Sequence, residues 1–577
     1  MFVIMFVTTL LLILISLLLY MGCRKPKGYP PGPGWWPVLG SLLEVKRIRE
    51  ETGNLVETFS TLSKKYGSVV GLKIGNDRIV ILNDLNSMKA MLMNEDCEGR
   101  PNGPIFKIRT WGLRRGLLLV DEQFWIEQRR FVLRHLKEFG FGRANMTTII
   151  ENEALKLVQH FKKMLENSRN YDSKKSVTLI SENYNNRIYE LRQNSKNKLM
   201  MNKSRDKFDV NENEISDRKP RAVSDLYVKF NDYETAERVS RSDEMIVRMD
   251  DAFGVTVLST LWNMMAGRSF DPVDKELTHL QRILGKLLGE IDMIGAPFSH
   301  FPILRFIAPE ISGYNKFVKI HEELWTFLNK EICNHKKTFV PNAPRDMMDV
   351  YLAMLNSDEC SDTFSESQLL AICIDFFMAG SETTSKTLGF GFLGLMLHPE
   401  VQKKAHEEID RVLGNDKFPT LADRTQMPYM QAIVLEALRV FAAHTLAIPH
   451  RSLRNTRVLG YEIPKDTMLI VNFNGVLMDD SWNDPYNFRP ERFLDNDNNI
   501  VTPEKFFPFG IGRRRCIGEI LSRSNIFLIM VALLQTFSFS VVPGEPRPSL
   551  HDVTDGVTSG PKPYKALVTL RKQFLFK

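Results

Sequence analysis

The sequence predicts a mainly α-helical protein with small β-sheets, placed behind an apolar N-terminal segment. Three observations carry that expectation. Beyond Asp250, apolar residues recur at helical spacing through one run after another. The strand-like runs, Ser68 to Ile74, Arg78 to Leu82, Val458 to Ile463 and Thr467 to Asn472, are few and short. Phe2 to Tyr20 is apolar except for Thr8, Thr9 and Ser16, and no charge precedes Arg24. Hydrophobic residues make up 43% of the 577 and charged residues 25%, which excludes global disorder and fibrous architectures.

The apolar start is long enough to matter. As a helix, its 19 or so residues span about 28 Å, close to the roughly 30 Å of a bilayer core. It lacks the basic n-region and the small-residue cleavage pattern of a signal peptide. Residues 1–23 are therefore expected to be an uncleaved transmembrane anchor. Arg24, Lys25 and Lys27 come next, and the positive-inside rule places the rest of the chain on the cytoplasmic side. Pro30, Pro31, Pro33 and Pro37 then stiffen a basic, proline-rich hinge over residues 24–40.

From Leu55 to about Leu165, helical patterns alternate with the first two strand-like runs. The composition shifts over about 167–242, where about 26 of the 70 residues from Tyr171 to Ser240 are charged and apolar periodicity is weak. That segment reads as a polar, solvated insertion, with Lys174 to Arg238 outside the core. Helical runs resume at Ala252 to Ala266, His279 to Ile291, Tyr314 to His335, Glu366 to Leu397, Pro399 to Leu413 and Tyr429 to Phe441. The two later strand-like runs come next, and a last long helix covers about Gly518 to Phe537. Apolar Phe298 to Pro309 is a candidate second contact with the membrane.

Composition narrows the function. Lys+Arg 76 against Asp+Glu 69 is nearly balanced, and no aromatic-studded basic block suggests a nucleic-acid partner. The six cysteines are scattered, without CxxC pairs, which argues against a disulfide framework or a structural zinc site. Gly389-Phe-Gly391-Phe-Leu-Gly394 spells a dinucleotide fingerprint, but it lies inside a helical run rather than after a strand. It is expected to permit close helix packing. His406 lacks the second histidine of a zinc-protease helix.

The informative segment is Phe507-Pro-Phe509-Gly-Ile-Gly512-Arg513-Arg514-Arg515-Cys516-Ile-Gly518-Glu519. A glycine-rich loop compatible with a flat ligand ends in one cysteine at the start of an apolar helix. Cations and a helix N-terminus both favour a thiolate over a thiol. Phe509, Gly512, Arg514, Cys516 and Gly518 match the FxxGxRxCxG haem loop, and on them the chain resembles the cytochrome P-450 superfamily of haem-thiolate monooxygenases. Further signatures occur in that superfamily's order. Trp125-Ile-Glu-Gln-Arg129 resembles its WxxxR, Ala379 to Thr384 its oxygen-activation motif, Glu436-Ala-Leu-Arg439 its ExxR and Pro490-Glu-Arg492-Phe493 its PERF. The proline elbow is similar to the microsomal hinge. Pro449-His450-Arg451 and the Cys-Ile-Gly-Glu519 ending look most like the vertebrate family-2 clan and its insect relatives.

Each motif has a physical reading beside the resemblance. Glu436 and Arg439 share a helix face and can pair; alone, such spacing usually marks a surface pair worth under about 1 kcal/mol. By resemblance, Arg492 joins them and buttresses the cysteine loop. Trp125 and Arg129, one turn apart, can offer N–H donors to a haem propionate, with Arg514 and His450 as further contacts by resemblance. Glu382 and Thr383 sit inside an apolar helical run, where an acid and an alcohol are costly without partners. They are expected to be the catalytic pair, a proton relay to activated oxygen. The thiolate donates electron density that favours O–O cleavage.

The resemblance implies one large catalytic domain over residues 41–577 and haem b with Cys516 as its axial metal ligand. It implies insertion of one atom of O₂ into a lipophilic substrate, by hydroxylation or epoxidation. Electrons would come from NADPH through a separate reductase, with cytochrome b5 as a second candidate partner; Arg513 and Arg515 are candidates for docking the reductase. The expected site is the endoplasmic-reticulum membrane, with membrane lipid as a contact. Phe376, Phe377, Ala379, Leu446 and Ile448 are the candidate substrate walls, and a steroid, a terpenoid, another lipid or a xenobiotic suits them equally. Thr445 stands where many relatives of the clan carry proline. Two alternatives stay open: a haem-thiolate isomerase or dehydratase, which retention of Glu382-Thr383 disfavours, and a non-catalytic membrane haem protein.

Overall fold

Helix and strand alternate at the start of the chain, each helix bounded by a local signal. Gly53 ends the helix Leu42–Thr52 (α1) at φ +83°, and the Asn54 side chain accepts the Glu57 N–H to open Leu55–Tyr66 (α2). The strands Val69–Ile74 (β1) and Asp77–Leu82 (β2) pair antiparallel across a turn at Gly75. Helix Leu85–Leu92 (α3) starts on Asp84, whose side chain accepts the Ser87 N–H. In this computed structural model the described residues are 5, 6, 9, 22–138, 146–169, 243–341, 343–414 and 417–571. Most of the expected anchor and nearly all of the polar insertion lie outside them.

Helices then dominate: Glu122–Glu138 (α4), 146–169 (α5), Gly254–Ala266 (α6), Lys275–Glu290 (α7), Tyr314–Thr338 (α8), Met347–Leu355 (α9), Glu366–Leu397 (α10), Pro399–Leu413 (α11) and Pro428–Ala443 (α12). Four short strands come next, His450–Arg451 (β3), Thr456–Val458 (β4), Tyr461–Ile463 (β5) and Met468–Val471 (β6), and later the helix Glu519–Thr536 (α13). β2 pairs with β6 in parallel and β6 with β3 antiparallel, giving a four-stranded sheet of order β1-β2-β6-β3. The expected single run Val458 to Ile463 is corrected to a hairpin. Leu459 and Gly460 both take positive φ, as a two-residue primed turn requires, and fold it into β4 and β5.

The chain divides into two compact units. Met1–Val158, Ile246–Leu567 and Arg571–Lys577 make the first, and Gln159–Met245 with Val568–Leu570 the second. In the second, Leu570 N–H donates to Asp243 O at 2.9 Å and Arg169 pairs with Asp243. The candidate active site lies wholly in the first. There α6, α8, α9 and α10 share a core that includes Trp262, Leu328, Tyr351 and Phe377. Trp262 meets Phe377 edge-on at 4.7 Å, a geometry worth about 0.5–1.5 kcal/mol beyond its buried area. A second core packs α1 and α2 on the sheet through Phe59, Leu72 and Ile470.

α10 and α13 are buried on nearly every side. α13 is long and apolar enough to cross a membrane, but 78% of it is buried inside the protein, so it serves as a core helix. Gly389, Gly391 and Gly394 of α10 permit close packing. A Cβ on Gly391 would sit 3.1 Å from Met530 Cε, and one on Gly394 2.5 Å from the Phe488 ring.

Candidate active site

The cysteine loop is shaped by two glycines. Gly510 and Gly512 have φ +71° and +73°, and a Cβ on Gly512 would stand 2.4 Å from the Leu92 carbonyl oxygen at the end of α3. Cys516 N–H closes the loop by donating to Phe509 O at 2.9 Å. Cys516 is exposed, but that surface belongs to a cavity of about 330 Å³. Burial pushes the thiol up, while the Gly518 N–H and the charges of Arg129 and Arg515 oppose it. Arg515 also pairs with Glu519, and the expected docking residue Arg513 pairs with Glu98 at 3.0 Å.

α10 forms another wall of this cavity. Most of the helix is buried, yet Ala379 is exposed and Gly380 and Thr383 are half-buried, because they open on the cavity. Thr383 Oγ1 donates to Ala379 O at 2.7 Å. Glu382 does not line the cavity. Its carboxylate turns to Lys386 Nζ at 3.4 Å and lies near Gly285. Burial raises this carboxyl, Lys386 opposes the rise and Asp251 adds to it. Adjacent helical residues point about 100° apart, so the two members of the expected pair face different surroundings. The same geometry corrects the expected wall residue Phe377, which packs into the core, while Phe376, Ala379, Leu446 and Ile448 do line the cavity. Thr445 lines it too, its hydroxyl donating to Phe441 O.

The polar end of the cavity is a cluster of cations. The Arg514 guanidinium lies 3.9 Å from the Trp125 ring centre and donates to Glu98 O and Val120 O. Arg129 sits 5.3 Å from the same ring and donates to Arg515 O at 2.8 Å. His450 Nδ1 bonds Cys97 O at 2.8 Å, and burial holds this imidazole neutral. Sequence reasoning missed Arg100, which also lines the cavity and donates to Ile448 O and Pro449 O. Its buried Nε has no partner. Burial pushes Arg514 down to about 8 and Arg100 down to about 10, and the two repel each other.

One carboxylate anchors this cluster. Asp121 takes Arg114 Nη1 and Arg451 Nη2, each at 2.6 Å, and the Arg100 N–H at 2.6 Å. Burial alone would raise its carboxyl, but the two arginines outweigh burial and hold it below the ordinary range. Of the four arginines that line the cavity, Arg514 has Asp121 at 3.5 Å and Arg515 has Glu519, while Arg100, with its orphaned donor, and Arg129 form no ion pair among the described residues. A flat ligand with anionic arms and a metal within reach of the Cys516 sulfur fits this donor set.

Glu436, Arg439 and Arg492 form a closed ionic cluster. Arg439 Nε and Nη2 reach the two Glu436 oxygens at 2.8 Å each, and its remaining donors go to Leu477 O and Pro485 O. Arg492 Nε meets Glu436 at 3.1 Å. Glu436 and Arg439 are wholly buried, so the pair is no surface salt bridge. A second buried acid, Asp375 of α10, was also missed. It accepts the N–H groups of Leu117 and Leu118 at 2.6 and 2.8 Å and pairs with Arg109. Gln368 bonds the Gly116 peptide from the same helix, so α10 fixes the loop that brings Leu117 and Leu118 to the cavity.

The cytochrome P450 family model matches residues 30–227 and 193–568. The chain is 39% identical to a probable cytochrome P450 303a1 of Drosophila melanogaster, over 99% of this chain and 100% of the other. It is 30% identical to a farnesoate epoxidase of Bombyx mori, over 98% and 99%. Cytochrome P450 2D26 of Rattus norvegicus is 32% identical, over 94% and 93%.

Proposed function

Since the chain belongs to the cytochrome P450 family, as a monooxygenase with a cysteine-ligated haem, we propose that Cys516 is the ligand and that the cavity oxygenates a lipophilic substrate. The observation that carries this reading is that the Cys516 sulfur and Thr383 open on one cavity whose remaining walls are mostly apolar. The cation cluster supports haem in particular, because two propionates would bring negative charge to Arg100, whose Nε is orphaned, and to Arg129 beside it. When bound, the group supplies the activation of O₂ and the transfer of one oxygen atom.

The protein's own residues hold and feed that chemistry. Gly510 and Gly512 keep the loop thin enough for a macrocycle to lie against it, and the Phe509 carbonyl holds the Cys516 N–H. Arg514, Arg129 and Trp125 would hold the propionate side, with Arg100 added by its position; His450, neutral and with its Nδ1–H given to Cys97 O, would donate to a carboxylate only after taking up a proton on Nε2. Thr383 presents a hydroxyl that passes a proton into the cavity. Glu382 supplies protons from the solvent side and reaches the cavity by turning away from Lys386. Phe376, Ala379, Leu446 and Ile448 orient the substrate by apolar contact and exclude water.

The substrate is a lipophile such as a steroid, a terpenoid or a xenobiotic, hydroxylated or epoxidised; the epoxidase from Bombyx mori makes a terpenoid-like substrate reasonable. Electrons come from NADPH through a separate reductase, with cytochrome b5 as an alternative donor. The protein sits on the endoplasmic-reticulum membrane with its catalytic unit in the cytoplasm. A patch of exposed apolar side chains, Ile303, Phe306, Ile307 and Ile311, supports a second membrane contact. The patch is displaced from the expected Phe298 to Pro309: Phe298 is buried, and the exposed Ile311 lies beyond Pro309.

The test pairs a spectrum with a product. Wild-type protein should give the red-shifted ferrous–CO band of thiolate haem, and with reductase, NADPH and a lipid library a product one oxygen atom heavier than its substrate. Cys516→Ser should lose both. Survival of that band in the variant would reject Cys516 as the ligand.

A further inference from the structure

One corner of the cavity wall departs from its apolar surroundings. Ser522 and Asn525 of α13 are three residues apart and share a helix face, and both line the cavity beside Thr384 of α10. Thr384 Oγ1 and Ser522 Oγ lie 3.0 Å apart, and either could donate. Asn525 is 2% exposed. Its Nδ2 donates to Leu521 O at 3.2 Å, which fixes the amide orientation because a carbonyl cannot donate. Its Oδ1 is buried and has no partner. A buried acceptor left unpaired costs about 1–3 kcal/mol, so the position calls for a donor.

We infer that Asn525 and Ser522 bind a buried water, and that this water sets the direction of the Ser522–Thr384 hydrogen bond. Oδ1 can only accept, so the water gives it one hydrogen. The second hydrogen goes to Ser522 Oγ, a neighbour one helical turn away on the same face. Ser522 then donates its own hydrogen to Thr384 Oγ1. The Thr384 hydrogen is left to point elsewhere, into the cavity or to its own helix. Asn525 is thereby a positioning residue: it touches no reacting group, yet it decides which of two hydroxyls offers a proton beside Thr383.

The role in proton delivery rests on the proposed oxygen-transfer reading, but the water does not. A high-resolution crystal structure of the holoenzyme should show an ordered water between Asn525 Oδ1 and Ser522 Oγ, missing in Asn525→Leu. Apolar cofactor or protein atoms filling that corner would overturn the site, whether or not any substrate turns over. The second measurement is product formed per NADPH in the Thr383→Ala background, where Thr384 is the adjacent hydroxyl on the cavity wall. Adding Asn525→Leu should lower that ratio further, on the order of tenfold, as loss of alignment does. Ser522→Ala should do the same, which guards against a folding defect of the leucine variant. A ratio unchanged by both substitutions would overturn the positioning role even with the water in place.

Discussion

Thr383 is the residue whose chemistry is most exposed to test. Its hydroxyl already satisfies itself on Ala379 O, so removing it leaves no buried group unpaired. Thr383→Ala should therefore keep fold, haem and NADPH consumption. Loss of a positioned proton donor costs about 10² to 10⁴ in the step it serves, so product per NADPH should fall as electrons go to peroxide or water. Coupling measurements with peroxide detection check this, and unchanged coupling would assign the relay elsewhere. The residue scale is also where the sequence was least transparent. Cys516 announces itself through its loop, but Arg100 and Asp375 are single charges whose meaning comes only from what folds against them. Asp375 does interrupt the apolar run Leu370 to Met378, and that was the available signal. Phe376 and Phe377 could not be told apart, because a helix buried all round has no polar face to fix its phase.

At the scale of elements, α12 and the segment carrying Arg492 are joined by the Glu436 cluster. Removing the carboxylate shared by two buried cations leaves them uncompensated, at about 3–5 kcal/mol. Glu436→Gln should accordingly unfold at lower temperature and lose haem, read by thermal melts and the Soret band; a variant with wild-type stability would show that the cluster is dispensable. A second junction titrates. His335 near the end of α8 donates Nδ1–H to Glu331 O and lies 3.1 Å through Nε2 from Asp346, the N-cap of α9. Burial lowers this imidazole, but the hydrogen bond and charge of Asp346 outweigh it and raise the folded value. Stability from the pair is thus full below about pH 6.5, the unfolded histidine value, and is lost as pH rises through the folded one. Asp346→Asn keeps the cap and should flatten that slope in melts run across pH. The elements themselves were largely legible. Glu366–Leu397 and Pro399–Leu413 start and stop where the sequence places them, marked by Ser365 as a cap and by Pro399. The β4–β5 hairpin was not, because Leu459 at positive φ is an unusual turn residue and hid the break.

For the whole molecule, the proposed membrane contact can be tested through its exposed apolar patch. Ile303, Phe306, Ile307 and Ile311 are 64–91% exposed, beyond what scattered surface residues account for. Deleting residues 1 to 24 should weaken vesicle binding without abolishing it, and adding Phe306→Ser and Ile307→Ser should release the protein in flotation assays. Complete release by the deletion alone would reject the patch. The Gly512–Leu92 approach bears on the history of each molecule rather than on its finished state. The two residues come from opposite ends of the chain, and loops that long close late in folding. Until α3 and the C-terminal third have met, the sulfur has no wall to lean on and the cations no cavity to face. Cofactor capture is then a closing event of biogenesis, and the newly made chain passes through a period with a bare, reactive thiol.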